Sequence, residues 1–219
     1  MQDFVMVTGM VIKTIPVGEY DRHVCILTKE KGKITAYAKG ARRPNSRLVA
    51  ATNPFSFGEF KLYVGKSSYN LLEACISNYF EPLREDFEAA YYGMYFLEMA
   101  DYYTRENNDE RNQLKLLYQS MRALIAPNFP NELVRRVYEM KSLVVNGEFP
   151  GIPTDRQLRN GTVRTIQFIM DSPIEKLYTF AVSPEILTEL AEVSDRYCKL
   201  CIDRPMKSLE VLETLVKKG

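Results

Sequence analysis

One change of hydrophobic period limits what this chain can fold into. Up to about Phe80 the apolar residues alternate with a period of two, and from Pro82 onward they recur at helical spacing. The two periods are incompatible within one element, so the chain reads as a β unit followed by an α unit. In the first strand Phe4, Met6, Thr8, Met10 and Ile12 fall on one face and Val5, Val7 and Val11 on the other, the pattern of a strand covered on both sides. Turn chemistry at Pro16-Val17-Gly18 precedes a second strand, Tyr20 to Thr28. Lys33 to Ala38, Phe55 to Val64 and Tyr69 to Tyr79 supply three more, the last two joined by the turn Gly65-Lys66-Ser67-Ser68.

A sheet of five short strands manages its edges best by closing on itself. An oligonucleotide-binding (OB) barrel and an SH3-like barrel both satisfy this pattern, and periodicity does not separate them. Beyond it, Leu83 to Glu106, Leu114 to Ile125 and Leu133 to Val144 carry apolar stripes. They are broken at the polar run Arg105 to Arg111, at Pro127 and at Asn146-Gly147, and connections this short predict antiparallel packing. After a weaker stretch, Glu148 to Thr162, helical patterns return at Thr165–Met170, Pro184–Leu200 and Lys207–Val216, the last with Leu209, Leu212, Leu215 and Val216 on one face. The expected class is α+β, with an OB-type five-stranded barrel over residues 1–80 and an all-α helical domain over residues 81–219.

Charge is nearly balanced overall, at +1, but it is divided unevenly. Residues 1–82 hold 11 basic and 7 acidic side chains, and the remainder 18 and 21. The excess is concentrated: Lys29 to Arg47 carries seven Lys or Arg against one Glu. The loop after the third strand holds Arg42, Arg43 and Arg47 with no acidic residue among them. A positive loop on a small β scaffold is the electrostatic footprint of a polyanion site. Arg42, Arg43 and Arg47 are therefore the candidate phosphate ligands, with Lys33 and Lys39 widening the patch. Gly40 permits the sharp turn and Pro44 stiffens the loop. Tyr37, Phe55, Phe57, Phe60, Tyr63 and Tyr69 could stack on bases, although aromatic residues in a small barrel mostly serve the core.

Catalytic constellations are not found. His23 is the single histidine and has no Ser or Cys nucleophile suggested beside it. Cys198-Lys199-Leu200-Cys201 lies in helical pattern without a second pair, so it reads as two structural thiols rather than a metal or redox motif. Gly65-Lys66-Ser67 lacks the upstream glycine of a phosphate loop. Four cysteines in 219 residues predict a reducing, cytoplasmic setting, and no apolar window reaches membrane-spanning length. The start of the chain does not read as a secretory leader. The expectation is a protein that is no enzyme and needs no cofactor.

The blocks Gly18-Glu19-Tyr20-Asp21-Arg22, Leu27-Thr28, Gly32-Lys33-Ile34, Ala38 to Pro44, Ser46-Arg47 and Pro54 to Glu59 resemble, in order and spacing, the N-terminal half of the bacterial recombination mediator family RecO. Arg204 to Ser208 is similar to that family's closing segment. The resemblance implies an OB barrel followed by a helical domain, binding to single- and double-stranded DNA, and annealing of complementary strands. It further implies work with RecR to load RecA onto strands coated by single-stranded-DNA-binding protein, whose acidic, apolar C-terminal tail a helical-domain groove would capture. Such a groove needs an apolar floor and a basic rim, for which Arg135 and Arg136 are the candidates by charge. Many members also carry a four-cysteine zinc module. This chain has no cysteine between Cys75 and Cys198, so the module is expected to be missing near residues 148–162. The competing expectation is an adaptor whose barrel binds protein and not DNA.

Overall fold

The computed structural model describes residues 4–66 and 68–216. Ser67 of the expected turn, residues 1–3 and 217–219 of the expected domains, and the side chains of Leu215 and Val216 lie outside the described residues. Five strands, β1 (Phe4–Val17), β2 (Asp21–Thr28), β3 (Gly32–Ala38), β4 (Phe57–Val64) and β5 (Tyr69–Asn78), form a closed barrel in the order β1-β2-β3-β5-β4. Closure depends on the length of β1. Its first part pairs antiparallel with β4, from Phe4↔Tyr63 to Met10↔Phe57, and its second part with β2, from Gly9↔Thr28 to Val17↔Asp21. One strand thus supplies both neighbours of the seam. β3 and β5 pair in parallel at Ala36↔Tyr69 and Tyr37↔Asn70, and this order with its parallel pair is that of an OB-type barrel.

On either side of the seam β1 passes close to β2, and β4 close to β5. Gly9 and Gly58 are partners across β1 and β4. A Cβ on Gly9 would lie 2.3 Å from the Leu27 carbonyl oxygen, and one on Gly58 2.2 Å from that of Cys75. Val7, Val24, Ile26, Ile34, Phe60 and Leu62 fill the interior. Two expectations are corrected here. β1 is covered on both faces only over Gly9–Ile12, whereas Phe4 and Met6 are exposed. Phe55, expected to open the fourth strand, precedes β4 with φ +73° and a buried side chain.

The helices are α1 (Leu48–Ala51), α2 (Pro82–Glu85), α3 (Phe87–Tyr103), α4 (Arg111–Leu124), α5 (Asn131–Val145), α6 (Asn160–Asp171), α7 (Pro184–Cys201) and α8 (Lys207–Val216). The single helix expected from Leu83 breaks at Asp86, whose extended backbone separates α2 from α3. α5 stops where expected, with Gly147 beyond it at φ +72°. α6 begins inside the stretch that reads as weak in the sequence.

The chain forms two compact units. The first holds the barrel, α2 and Leu97–Leu114; the second holds Phe87–Phe96 and the chain from Lys115 onward. A polar segment that the sequence pattern places with the helices therefore folds with the barrel. Within the second unit α5 packs against α6 and α7. Phe96 stacks on Tyr138 with ring centroids 4.2 Å apart, and the Tyr138 hydroxyl donates to the Phe96 carbonyl at 2.9 Å. Lys141, buried on α5, donates to the carbonyls of Ile169, Met170 and Ser172 at 2.8–3.0 Å and so caps the end of α6.

Candidate nucleic-acid interface

The basic loop leaves β3 at Lys39-Gly40 and ends at α1. Gly40 takes φ +66°, a left-handed conformation that glycine adopts without strain. Ala41 turns its side chain into the barrel core, so the charged residues that follow it face solvent. Lys39, Arg42, Arg43 and Arg47 are all exposed. The structure therefore brings four of the five expected DNA-binding residues onto one loop.

That loop is held at several points. The Asp21 carboxylate at the start of β2 accepts the Gly40 N–H at 2.6 Å and the Tyr37 hydroxyl. These two bonds, the Gly40 one first, hold the Asp21 carboxyl below its ordinary pKa. The Arg42 N–H donates to the Tyr20 carbonyl at 2.8 Å, and its Nη1 to the Gly18 carbonyl at 3.2 Å. The Arg43 guanidinium lies over the Tyr20 ring, 5.2 Å from the centroid, which leaves its N–H edge available to an anion. Arg22 secures the far end, its Nη1 donating to the Val49 carbonyl, Thr52 Oγ1 and Asn53 Oδ1 at 2.7–3.1 Å. A loop fixed in this way loses little conformational freedom when it binds.

Lys33 is placed differently. Its Nζ donates to the Asp101 carboxylate at 2.8 Å and to the Asp101 carbonyl at 2.5 Å, and the side chain is half-buried. Its charge is committed within the barrel's unit instead of widening the loop's patch. Asp101 is 68 positions away in sequence, so no local spacing could reveal the pair.

Beside Lys33 a cleft of about 900 Å³ opens on the outer face of the barrel. His23, Thr35 and Tyr37 form one side, Tyr69 and Asn70 the other, with Lys66 from the β4–β5 turn and Glu106 at its margin. Glu106 arrives through a bridge to Gly32 in the polar run after α3. Burial, and next the nearby Glu106 carboxylate, raise the Tyr69 hydroxyl above its ordinary pKa. The expected stacking residues thus divide. Tyr37 and Tyr69 line the cleft, while Phe60 is buried in the core and Phe55 is buried ahead of β4.

Arg135 and Arg136 are not exposed rim groups. Both are buried on α5 against Glu139, with Arg135 Nε at 2.8 Å and Arg136 Nη1 at 2.9 Å from its oxygens. Glu139 also accepts the Tyr95 hydroxyl at 2.8 Å and the Ser194 hydroxyl at 2.6 Å, and Arg136 meets Glu132 and Asp195 besides. Burial pushes the Glu139 carboxyl upward, but Arg136 and Arg135 outweigh it and hold the group ionised. Removing one member would leave an uncompensated charge inside. Above this network lies a cavity of about 210 Å³ with Ile202, Met206 and Leu209 as apolar lining, Arg135 at its wall and the exposed Lys199 and Arg204 beside it. Sequence reading missed Lys199 and Arg204, whose only signal is basic charge flanking the apolar positions that join α7 to α8.

Cys198 and Cys201 are reduced thiols on α7, and burial raises the pKa of both. Among the described residues no group of three or more His, Cys, Asp or Glu is placed to hold a metal ion, and no helix is long and apolar enough to cross a membrane.

Comparison with known proteins agrees with this architecture. Residues 1–80 match the family model described as recombination protein O N terminal, and residues 84–152 and 153–210 the model described as recombination protein O C terminal. The chain is 29% identical to the DNA repair protein RecO of Acetivibrio thermocellus, over 97% of this chain and 98% of that one. It is 27% identical to the protein of that name from Clostridium novyi, over 94% and 93%, and 28% identical to that of Symbiobacterium thermophilum, over 95% and 96%.

Proposed function

The chain belongs to the recombination protein O family, and from that premise we propose that it is a cytoplasmic mediator of recombinational DNA repair with no catalytic centre of its own. It binds and anneals single-stranded DNA, contacts double-stranded DNA through the same phosphates, and with RecR helps load RecA onto strands coated by single-stranded-DNA-binding protein. The observation that carries the DNA-binding part is the clamped loop with Lys39, Arg42, Arg43 and Arg47 exposed together. Phosphates carry no sequence information, so a protein acting on any broken strand is served by such contacts. For the tail of single-stranded-DNA-binding protein, the cavity of the helical unit supplies an apolar lining with Arg135, Lys199 and Arg204 around it. Three carboxylates, Glu139, Asp195 and Glu213, share that lining, so an acidic, apolar peptide would be met by the exposed Lys199 and Arg204 on one side.

The test is binding of labelled oligo-dT across a salt titration, paired with annealing of complementary strands without ATP or metal. In the double variant Arg42→Glu, Arg43→Glu, affinity should drop at low salt. The slope of log K against log salt should become shallower by about 0.7 for each phosphate that the loop no longer neutralises. Annealing should slow in parallel. An unchanged slope would remove the loop from the site, and binding to neither single strands nor duplex would leave the adaptor reading in its place.

A further inference from the structure

The cations of the barrel are not all offered to a ligand in the same way. At the C-terminal end of β3 the loop presents Lys39, Arg42, Arg43 and Arg47 to solvent. At the other end stands Lys33. Lys13 of β1 lies opposite Cys25 of β2, and Cys25 opposite Thr35 of β3, so Lys13 and Lys33 share one outer face. A single carboxylate meets both: that of Asp101 lies 2.8 Å from Lys33 Nζ and 3.6 Å from Lys13 Nζ.

The segment after Asp101 adds negative charge and is fastened to the barrel. Residues 101–110 hold four acidic side chains and one basic one, Arg105. The Arg105 guanidinium turns back onto the carbonyls of Tyr102 and Thr104 at 2.6–2.9 Å. The Lys33 N–H donates to the Arg105 carbonyl at 3.0 Å and the Asn107 N–H to the Lys31 carbonyl at 2.9 Å, on either side of the bridge from Gly32 to Glu106. Gly32 is needed for this approach, since a Cβ there would lie 2.3 Å from the Arg105 carbonyl oxygen. Glu106 is thereby placed, exposed, at the margin of the cleft, where it offsets the exposed Lys66 of the β4–β5 turn.

Without these carboxylates the positive surface of the loop would continue along β3 to Lys33, Lys13 and Lys66. Resting on the proposed DNA-binding function, we infer that Asp101 and Glu106 are an acidic stop, which withholds these three lysines from phosphates and confines a bound strand to the loop end of β3. Neither side chain touches DNA; both limit how much of it is held. The annealed product carries a charge every ~1.7 Å of its axis, against ~3.4 Å for each strand, so an unbroken positive track would retain it. The stop lets the duplex leave.

The experiment titrates salt against binding of labelled oligo-dT, and of a duplex of equal length, to the full chain by fluorescence anisotropy. Asp101→Asn leaves the Asp101 carbonyl to hold Lys33. It should steepen the slope of log K against log salt for oligo-dT by about 0.7 for each lysine that then meets a phosphate. Relative to 1 M salt, that is about fivefold in affinity at 0.1 M for one lysine and about 25-fold for two. Glu106→Gln, at an exposed position, should gain about fivefold through Lys66. The duplex, with a slope of about 0.9 per phosphate, should gain more than oligo-dT in both variants. Adding Lys13→Met and Lys33→Met to Asp101→Asn should return the slope to that of the wild type, which a merely structural role for Asp101 would not predict. An unchanged slope in Asp101→Asn, or a steeper one that survives removal of both lysines, would overturn the inference and leave the loop standing. Unaltered affinity of Glu106→Gln at low salt would overturn it as well, whatever Asp101→Asn does to the fold. Failure of the wild type to bind either nucleic acid would overturn the DNA-binding reading with it.

Discussion

Among single residues Asp21 has the most consequence for its size. It is an acidic anchor for the basic loop, and it takes two donors, the Gly40 N–H and the Tyr37 hydroxyl. Its folded pKa is lowered, so its contribution is fully present above the unfolded value of about 3.9 and is lost as pH falls through the lowered folded value. Order in the loop should therefore survive mild acid and fail only below the ordinary carboxylate range. Asp21→Asn removes the charge and sets an amide against one of the two donors. Trypsin should then cleave at Lys39 and Arg42 faster in the variant at neutral pH, with the remaining chain still resistant. Equal cleavage rates in variant and wild type would show that the loop is held without Asp21.

At the scale of elements, the strands and most helices were legible because each carries its own period, and α5 even displays its stop in Asn146-Gly147. What could not be read is what depends on distant residues meeting. Lys33 and Asp101, or Gly32 and Glu106, carry no local mark of their association. Arg135 and Arg136 looked like surface charge although Glu132 and Glu139 stand at helical spacing from them; what the sequence did not mark is their burial and the Asp195 carboxylate arriving from α7. Of the loop, Lys39, Arg42, Arg43 and Arg47 were legible from composition alone, but its tether to Asp21 was not. The choice between OB and SH3-like barrels was likewise one of pairing, decided by the parallel contact of β3 with β5. The seam between β1 and β4 is the element on which that closure turns. A methyl group on Gly58 would meet the Cys75 carbonyl oxygen at 2.2 Å, a backbone atom that cannot swing aside. Gly58→Ala should cost about 1–3 kcal/mol, as overpacking does, read as a lower urea midpoint with an unchanged slope. A midpoint equal to that of the wild type would mean that the β4–β5 contact beside the seam relaxes freely.

For the molecule as a whole, the small net charge conceals a division of labour. The positive loop belongs to the barrel's unit, while Lys199 and Arg204 flank an apolar cavity in the helical unit. If the first takes a nucleic acid and the second an acidic, apolar peptide tail, each site must attract its own partner by local charge, because the total charge of +1 favours neither. The cavity's lining also carries Glu139, Asp195 and Glu213, so the attraction falls to its exposed cations. Glu139 and Arg135 are buried inside the network, whereas Lys199 and Arg204 are exposed, so their reversal should change binding without disturbing the core. Lys199→Glu with Arg204→Glu should weaken binding of a peptide copying the tail by about tenfold or more, equivalent to ~1.4 kcal/mol or more, and leave oligo-dT affinity unchanged. Arg42→Glu with Arg43→Glu should do the reverse. Calorimetric titration of the peptide and anisotropy with the oligomer, made on the same two variants, read both. Loss of both partners in either variant would mean that the two sites are not independent, and an unaffected peptide affinity would move the tail to another surface.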